Sequence, residues 1–258
     1  MSKPLLSVIT VCYNSEKTIR ETINSILNQS YSNFEYIVVD GNSKDSTVDL
    51  IKSFEVEFQK KGVDFIWISE QDSGIYNAFN KGIKLSSGKW VSFLGSDDTY
   101  TPKALEVYAK TISESKEEID LIYSNVEVKD NQHNTTDTIN GKWSWRKFRR
   151  YMNIPHVGSF HNKKYFSKYG FFNESYKIAG DYELLLRAKS SLKTIKIDEV
   201  TVKMANSGAS NNQINLVFKE TLKAKNKSGG INLLLCIIDY FIAVFKYYSK
   251  KLTSAIIR

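Results

Sequence analysis

Four times in its first hundred residues the chain runs from an apolar, β-branched stretch into a polar turn, and three of those turns lead into a segment with helical periodicity. Leu5–Val11 is almost continuously apolar, the pattern of a strand buried on both faces. Asn14 or Ser15 can cap the next helix, where Ile19, Ile23, Ile26 and Leu27 recur at helical spacing. Phe34–Val39 is a second strand ending at Asp40, followed by a helix over Ser46–Lys60. Phe65–Ile68 is a third strand, ending near Asp72, and Gly74–Leu85 its helix. Trp90–Leu94 is a fourth, ending at Asp97-Asp98. This order dictates a parallel sheet with right-handed crossovers. Asp40, Asp72, Asp97 and Asp98 all follow C-terminal strand ends, the edge where open parallel sheets bind ligands.

The second half is less regular. Pro102–Ser115 reads as a helix and Asp120–Lys129 as a strand. Asn131–Asn140 reads as a polar loop, and Asp181–Ser191 and Ile214–Lys227 as helices. Charge divides the chain as well. Residues 1–125 hold 13 basic and 18 acidic residues, and residues 126–258 hold 23 and 10, within a total of +8. An acidic half suits a metal or polar ligand, and a basic half suits an anionic partner. Charged residues at 25% and only three prolines exclude a disordered or fibrous chain. Cys12 and Cys236 give neither a zinc spacing nor a disulfide framework, and the N-terminus does not read as a signal peptide. A cytoplasmic location is therefore expected.

Adjacent carboxylates at a strand end can share Mg²⁺ or Mn²⁺ with substrate phosphates, although such a pair alone is also an ordinary polar turn. The wider context is more specific. Ser7–Asn14, Tyr36–Thr47, Glu70–Gly82 and Ser96-Asp97-Asp98 together resemble family 2 glycosyltransferases, in the family's order. A fifth segment, Ile178–Leu184, is similar to the one bearing that family's catalytic base.

The resemblance implies a GT-A fold, an α/β architecture with a Rossmann-like, mostly parallel central sheet flanked by helices, here with a C-terminal helical extension. It implies a nucleotide-sugar-binding half over 1–100, an acceptor and catalytic-base half over 101–228, and a tail over 229–258. Thr10, Tyr13, Asp40, Asp72 and Asp97 match nucleotide-sugar contacts, with Asp40 on the nucleobase. Asp98, with Asp97, matches the ligands of Mn²⁺ or Mg²⁺. Asp181 matches the general base, which with no second positioned nucleophile implies single displacement with inversion. The implied donor is a nucleotide-diphosphate sugar, UDP being the family's common choice. The implied acceptor is a saccharide, carried on a polyprenyl diphosphate if the basic half meets an anionic group. Two departures stand out. Asn77 occupies a position where relatives often carry Asp, and Asn206-Ser207-Gly208-Ala209-Ser210 keeps one glycine of an expected Gly-Gly turn.

His156 follows a proline where the family lines its acceptor side. Trp145 and Arg146 belong to a run, Trp143–Arg150, with four cations and three aromatics. That run reads as a half-buried helix with a solvated basic face, as a lipid-phosphate contact, or as a nucleic-acid contact. No helix-turn-helix, RNP or zinc signature supports the last, so nucleic acid is not expected as a partner. Thr10–Asn14 also supplies no G-x-G-x-x-G for a dinucleotide oxidoreductase. A catalytically inactive nucleotide-sugar-binding scaffold is the main alternative to an enzyme. Ile231–Phe245 is too short and too polar for a membrane span. It suits an interfacial helix on the cytoplasmic face of a membrane, or a helix packed on the domain or on the partner of a homodimer.

Overall fold

The computed structural model describes residues 5–206 and 213–256. Within them the strands β1 (Leu6–Cys12), β2 (Phe34–Asp40), β3 (Asp64–Ser69) and β4 (Trp90–Gly95) form a parallel sheet in the order β3-β2-β1-β4. Each βα unit places its helix against the sheet: α1 (Ile19–Leu27), α2 (Thr47–Ser53) with α3 (Glu55–Lys61), and α4 (Ile75–Leu85). The expected single helix over 46–60 is two, because the chain turns at Phe54, whose ring is buried. β1 and β2 are buried on both faces, which explains their unbroken apolar runs.

The sheet continues past residue 100 in mixed directions. β5 (Thr99–Tyr100) and α5 (Ala104–Glu114) lead to β6 (Leu121–Lys129), and β8 (Phe160–Asn162) lies antiparallel between β4 and β6. β9 (Thr194–Ala205) runs parallel to β6, with a register shift at Asn125, and pairs with β5. The stretch expected as a loop at 131–140 contains β7 (Thr135–Ile139), which pairs with β6. It carries no apolar face because it is a largely exposed edge strand. Three short helices complete this half: α6 (Trp145–Phe148), α7 (Lys163–Tyr169) and α8 (Gly180–Leu186).

Two further helices close the described chain, α9 (Ile214–Lys227) and α10 (Leu233–Ile256). They pack together through Phe218, whose ring meets Tyr240 and Tyr247 edge-on at 6.0 Å. α10 turns Cys236 inward and leaves Leu234, Ile238, Phe241 and Phe245 exposed. No helix among the described residues is long and apolar enough to cross a membrane. Residues 207–210 of the expected glycine turn lie outside the described residues.

Candidate active site

The loops after β1 and β2 are tied together at the sheet's C-terminal edge. Asn14 does not cap α1. It adopts a left-handed φ of 49°, donates its N–H to Ser43 Oγ at 2.8 Å, and accepts the Lys44 N–H at 2.9 Å. Tyr13 stands out above this junction, largely exposed. Beneath it, a Cβ on Gly41 would come within 2.6 Å of Asp72 Oδ2 and 3.5 Å of the Tyr13 ring. Glycine leaves room for the Asp72 carboxylate as placed, and Tyr13, Gly41 and Asp72 share one wall. The other Asp72 oxygen accepts the Gly74 N–H at 2.9 Å.

Two further residues matched to nucleotide contacts, Thr10 and Asp40, are buried in this conformation. Thr10 is fully buried, on the same strand face as Leu6 and Val8 and beside Tyr36. Asp40 is also fully buried, and its carboxylate is occupied. It accepts the Ser43 N–H at 2.9 Å, the Ser43 hydroxyl at 2.5 Å and the Ser69 hydroxyl at 2.6 Å. In this conformation Asp40 braces the end of β2 against its loop and β3, and neither residue presents an atom to a ligand. Burial and then the Asp40 charge hold the nearby Cys12 thiol far above its usual range, so it is inert.

Asp97 and Asp98 converge over Gly95. A Cβ there would lie 2.6 Å from Asp98 Oδ2 and 2.9 Å from Asp97 Oδ1. Asp97 is exposed, whereas Asp98 is buried and accepts the Ala205 N–H at 2.9 Å. Burial, and next the Asp97 charge, push the Asp98 carboxyl up to about 7. A carboxyl in that condition gains from a cation. Two hard oxygen donors over a glycine cradle fit a divalent ion that takes its remaining ligands from water and a diphosphate. Among the described residues no closed cage of three or more His, Cys, Asp or Glu is present.

Asp181 lies in the first turn of α8 and is held by buried supports. The Tyr76 hydroxyl donates to the Ile178 carbonyl at 2.5 Å, accepts the Gly180 N–H at 2.8 Å, and lies 3.5 Å from Asp181 Oδ1. A Cβ on Gly180 would strike the Tyr76 ring at 2.6 Å. Glu220 of α9, also buried, accepts the backbone N–H groups of Lys177, Ile178 and Ala179 at 2.8 to 2.9 Å. Burial and then the Asp181 charge raise the Tyr76 phenol well above its ordinary range, so it stays a neutral donor.

His156 stacks on Phe93, with ring centroids 5.5 Å apart, and its Nε2 lies 3.2 Å from Nε2 of the fully buried His161. Burial lowers the His156 pKa against the pull of Asp181, and lowers that of His161 much further. Both imidazoles are therefore neutral at pH 7, one donating to the other.

Asp98, His156 and Asp181 line one cleft of about 650 Å³. Arg150, Lys225 and Asp239 line it as well. Trp145 and Arg146 do not line it. The Trp145 ring packs against the core beside α8, and Arg146 is exposed. Arg150 is the cation of that run which reaches the cleft. Its guanidinium contacts Asp239 Oδ1 at 2.9 Å, and Lys225 Nζ contacts Asp239 Oδ2 at 2.6 Å. Burial alone would raise the Asp239 carboxyl, but Lys225 and then Arg150 hold it below its ordinary value.

Residues 7–172 match the model of Glycosyl transferase family 2. The chain belongs to that family. This family 2 glycosyltransferase is 30% identical over 241 residues to a PGL/p-HBAD biosynthesis glycosyltransferase of Mycobacterium tuberculosis, covering 92% of this chain and 90% of the relative. Its fold resembles that of S. aureus TarS in complex with UDP-GlcNAc, with a TM-score of 0.67 and 18% identity over 90% of this chain and 69% of TarS. It also resembles the mannosyltransferase PcManGT from Pyrobaculum calidifontis in complex with GDP-Man and Mn²⁺, with a TM-score of 0.65 and 14% identity, covering all of this chain and 81% of that one. The glycosyltransferase has the expected GT-A fold.

Three structurally important residues of the glycosyltransferase have no task in the sequence motifs. Glu220 carries a signal in hindsight, since an acidic side chain falls on the buried face of α9 with Ala224. Tyr76 lies within a motif but without an assigned task. His161 gives no signal, because its pairing with His156 depends on where β8 joins the sheet.

Proposed function

We propose that this glycosyltransferase moves a sugar, with inversion, from a nucleotide-diphosphate donor to a hydroxyl of a saccharide acceptor in cell-surface polysaccharide biosynthesis. The observation that carries the reading is that Asp98 and Asp181 line the same cleft. One supplies negative charge where a diphosphate-bound cation belongs, and the other a carboxylate for the incoming hydroxyl.

The donor's base and ribose lie on the Tyr13, Gly41 and Asp72 wall, and UDP is the proposed nucleotide. The complexes of the two structural neighbours with UDP-GlcNAc and with GDP-Man and Mn²⁺ support a nucleotide sugar in this fold. Asp98 and Asp97 would hold Mn²⁺ or Mg²⁺. When bound, the ion neutralises charge that develops on the departing diphosphate. Asp181 accepts the proton of the acceptor hydroxyl as that oxygen attacks the anomeric carbon. The new bond to carbon forms as the bond to the diphosphate oxygen breaks, on the opposite face. Tyr76 and Glu220 fix the loop that aims Asp181, and His156 orients the acceptor. Arg150, a half-exposed cation lining the cleft, supports an anionic acceptor such as a polyprenyl-diphosphate-linked saccharide.

Asp181→Asn tests the assignment. The expected result is loss of transfer by about a thousandfold, with the dissociation constant for UDP-sugar and Mn²⁺ unchanged. Turnover at the parent rate would remove Asp181 from the mechanism.

A further inference from the structure

The last helix has two unlike faces. Cys236, Asp239, Tyr240 and Ala243, at helical spacing, line the cleft. The opposite side presents Leu234, Ile238, Phe241 and Phe245 at intervals of four, three and four residues. Phe241 and Phe245 are 65% and 73% exposed, so this apolar face has no cover among the described residues. Contiguous apolar surface of that kind marks an interaction site.

Charge selects the occupant. Between residues 213 and 249 the only carboxylate side chains are Glu220 and Asp239, and both turn into the protein. Lys219, Lys223, Lys227 and Lys246 are exposed over the same stretch. Arg150, through its pair with Asp239, ties this helix to a segment that adds the exposed Arg146, Lys147 and Arg149. Two copies meeting through α10 would bring like charges together, with no exposed carboxylate there to oppose them. Anionic headgroups would neutralise them. We infer that α10 docks the protein on an anionic lipid bilayer, its apolar face among the acyl chains, with Lys246 and the exposed cations of α9 and of Arg146–Arg149 at the headgroups. The helix is too short in apolar length to cross, so it lies in the interface plane. Because its other face walls the cleft, docking holds the cleft one helix away from the lipid surface. On the function proposed above, a lipid-anchored acceptor would then meet the enzyme at the membrane.

Co-sedimentation of the full-length protein with vesicles tests this. Vesicles of phosphatidylcholine with phosphatidylglycerol should carry the protein down. Phosphatidylcholine alone should carry much less, and high salt should release it. Phe241→Ser combined with Phe245→Ser should weaken binding by about tenfold or more, with the far-UV spectrum and melting temperature unchanged because both rings are already exposed. The assay contains no nucleotide sugar, so its outcome is separate from the transfer reading. Failure to bind anionic vesicles, or undiminished binding by the double variant, would overturn the inference. A parent protein that binds no vesicle and is a dimer, with the double variant monomeric, would assign the face to a second copy instead.

Discussion

The Tyr76 hydroxyl accepts the Gly180 N–H at 2.8 Å, linking α4 to the first residue of the helix that carries Asp181. The two residues are 104 positions apart in the chain. Tyr76→Phe keeps the ring against Gly180 and removes only the oxygen. The buried N–H then has no acceptor, a loss of about 1–3 kcal/mol. The turnover number should fall while donor affinity holds, as read by steady-state kinetics beside calorimetric titration with the nucleotide. Equal losses in both would mean that Tyr76 supports the donor site instead.

Glu220 serves the same loop from the other side. Glu220→Ala leaves three backbone donors without their carboxylate, and the expected destabilisation is about 3 kcal/mol in urea unfolding. Glu220→Gln retains one acceptor oxygen and should recover part of it. A silent Ala variant would show that water replaces the carboxylate at no cost.

Gly95→Ala places a methyl group where the Asp97 and Asp98 carboxylates converge. The substitution should abolish the Mn²⁺-dependent part of donor binding and leave metal-independent nucleotide affinity within about twofold. Thermal-shift titrations with and without Mn²⁺ separate the two. Full retention of metal dependence would move the cation away from this pair.

His161 predicts the direction of an acid transition. Its folded pKa lies well below the ordinary 6.5, because burial disfavours the charged ring. The unfolded chain therefore binds the extra proton first. The stability contribution is complete above pH 6.5 and declines as pH falls below it, by at most about 1.4 kcal/mol per pH unit for one group. His161→Phe should flatten this limb when urea midpoints are followed against pH. An unchanged slope would assign the acid sensitivity to other groups.

Much of the parallel half was legible because its strands are buried on both faces. Ile9, Ile37 and Val39 lie on one side of the sheet, and Val8, Tyr36 and Val38 on the other, so the apolar runs were unbroken. β8 is only three residues long and shows no period, although it joins β4 to β6. β7 is exposed along its length, so hydrophobicity does not mark it. Motif order singled out Asp98 and Asp181, which line one cleft. It could not say that Thr10 points into the core or that Asp40 is consumed by Ser43 and Ser69, because strand face and loop closure are tertiary facts. Within Trp143–Arg150, composition held four cations and could not reveal which of them meets Asp239.

That last contact has a consequence for shortening the chain. Lys225 is 2% exposed and relies on Asp239 for its neutralising charge. Removing the final helix would therefore do more than strip away a peripheral appendage. It would take away the carboxylate that neutralises Lys225 together with part of the cover that keeps water from it, and would leave the Arg150 guanidinium without its partner as well. The C-terminal segment is thus a counterion for the interior of the catalytic domain, and the domain is electrostatically complete only with it.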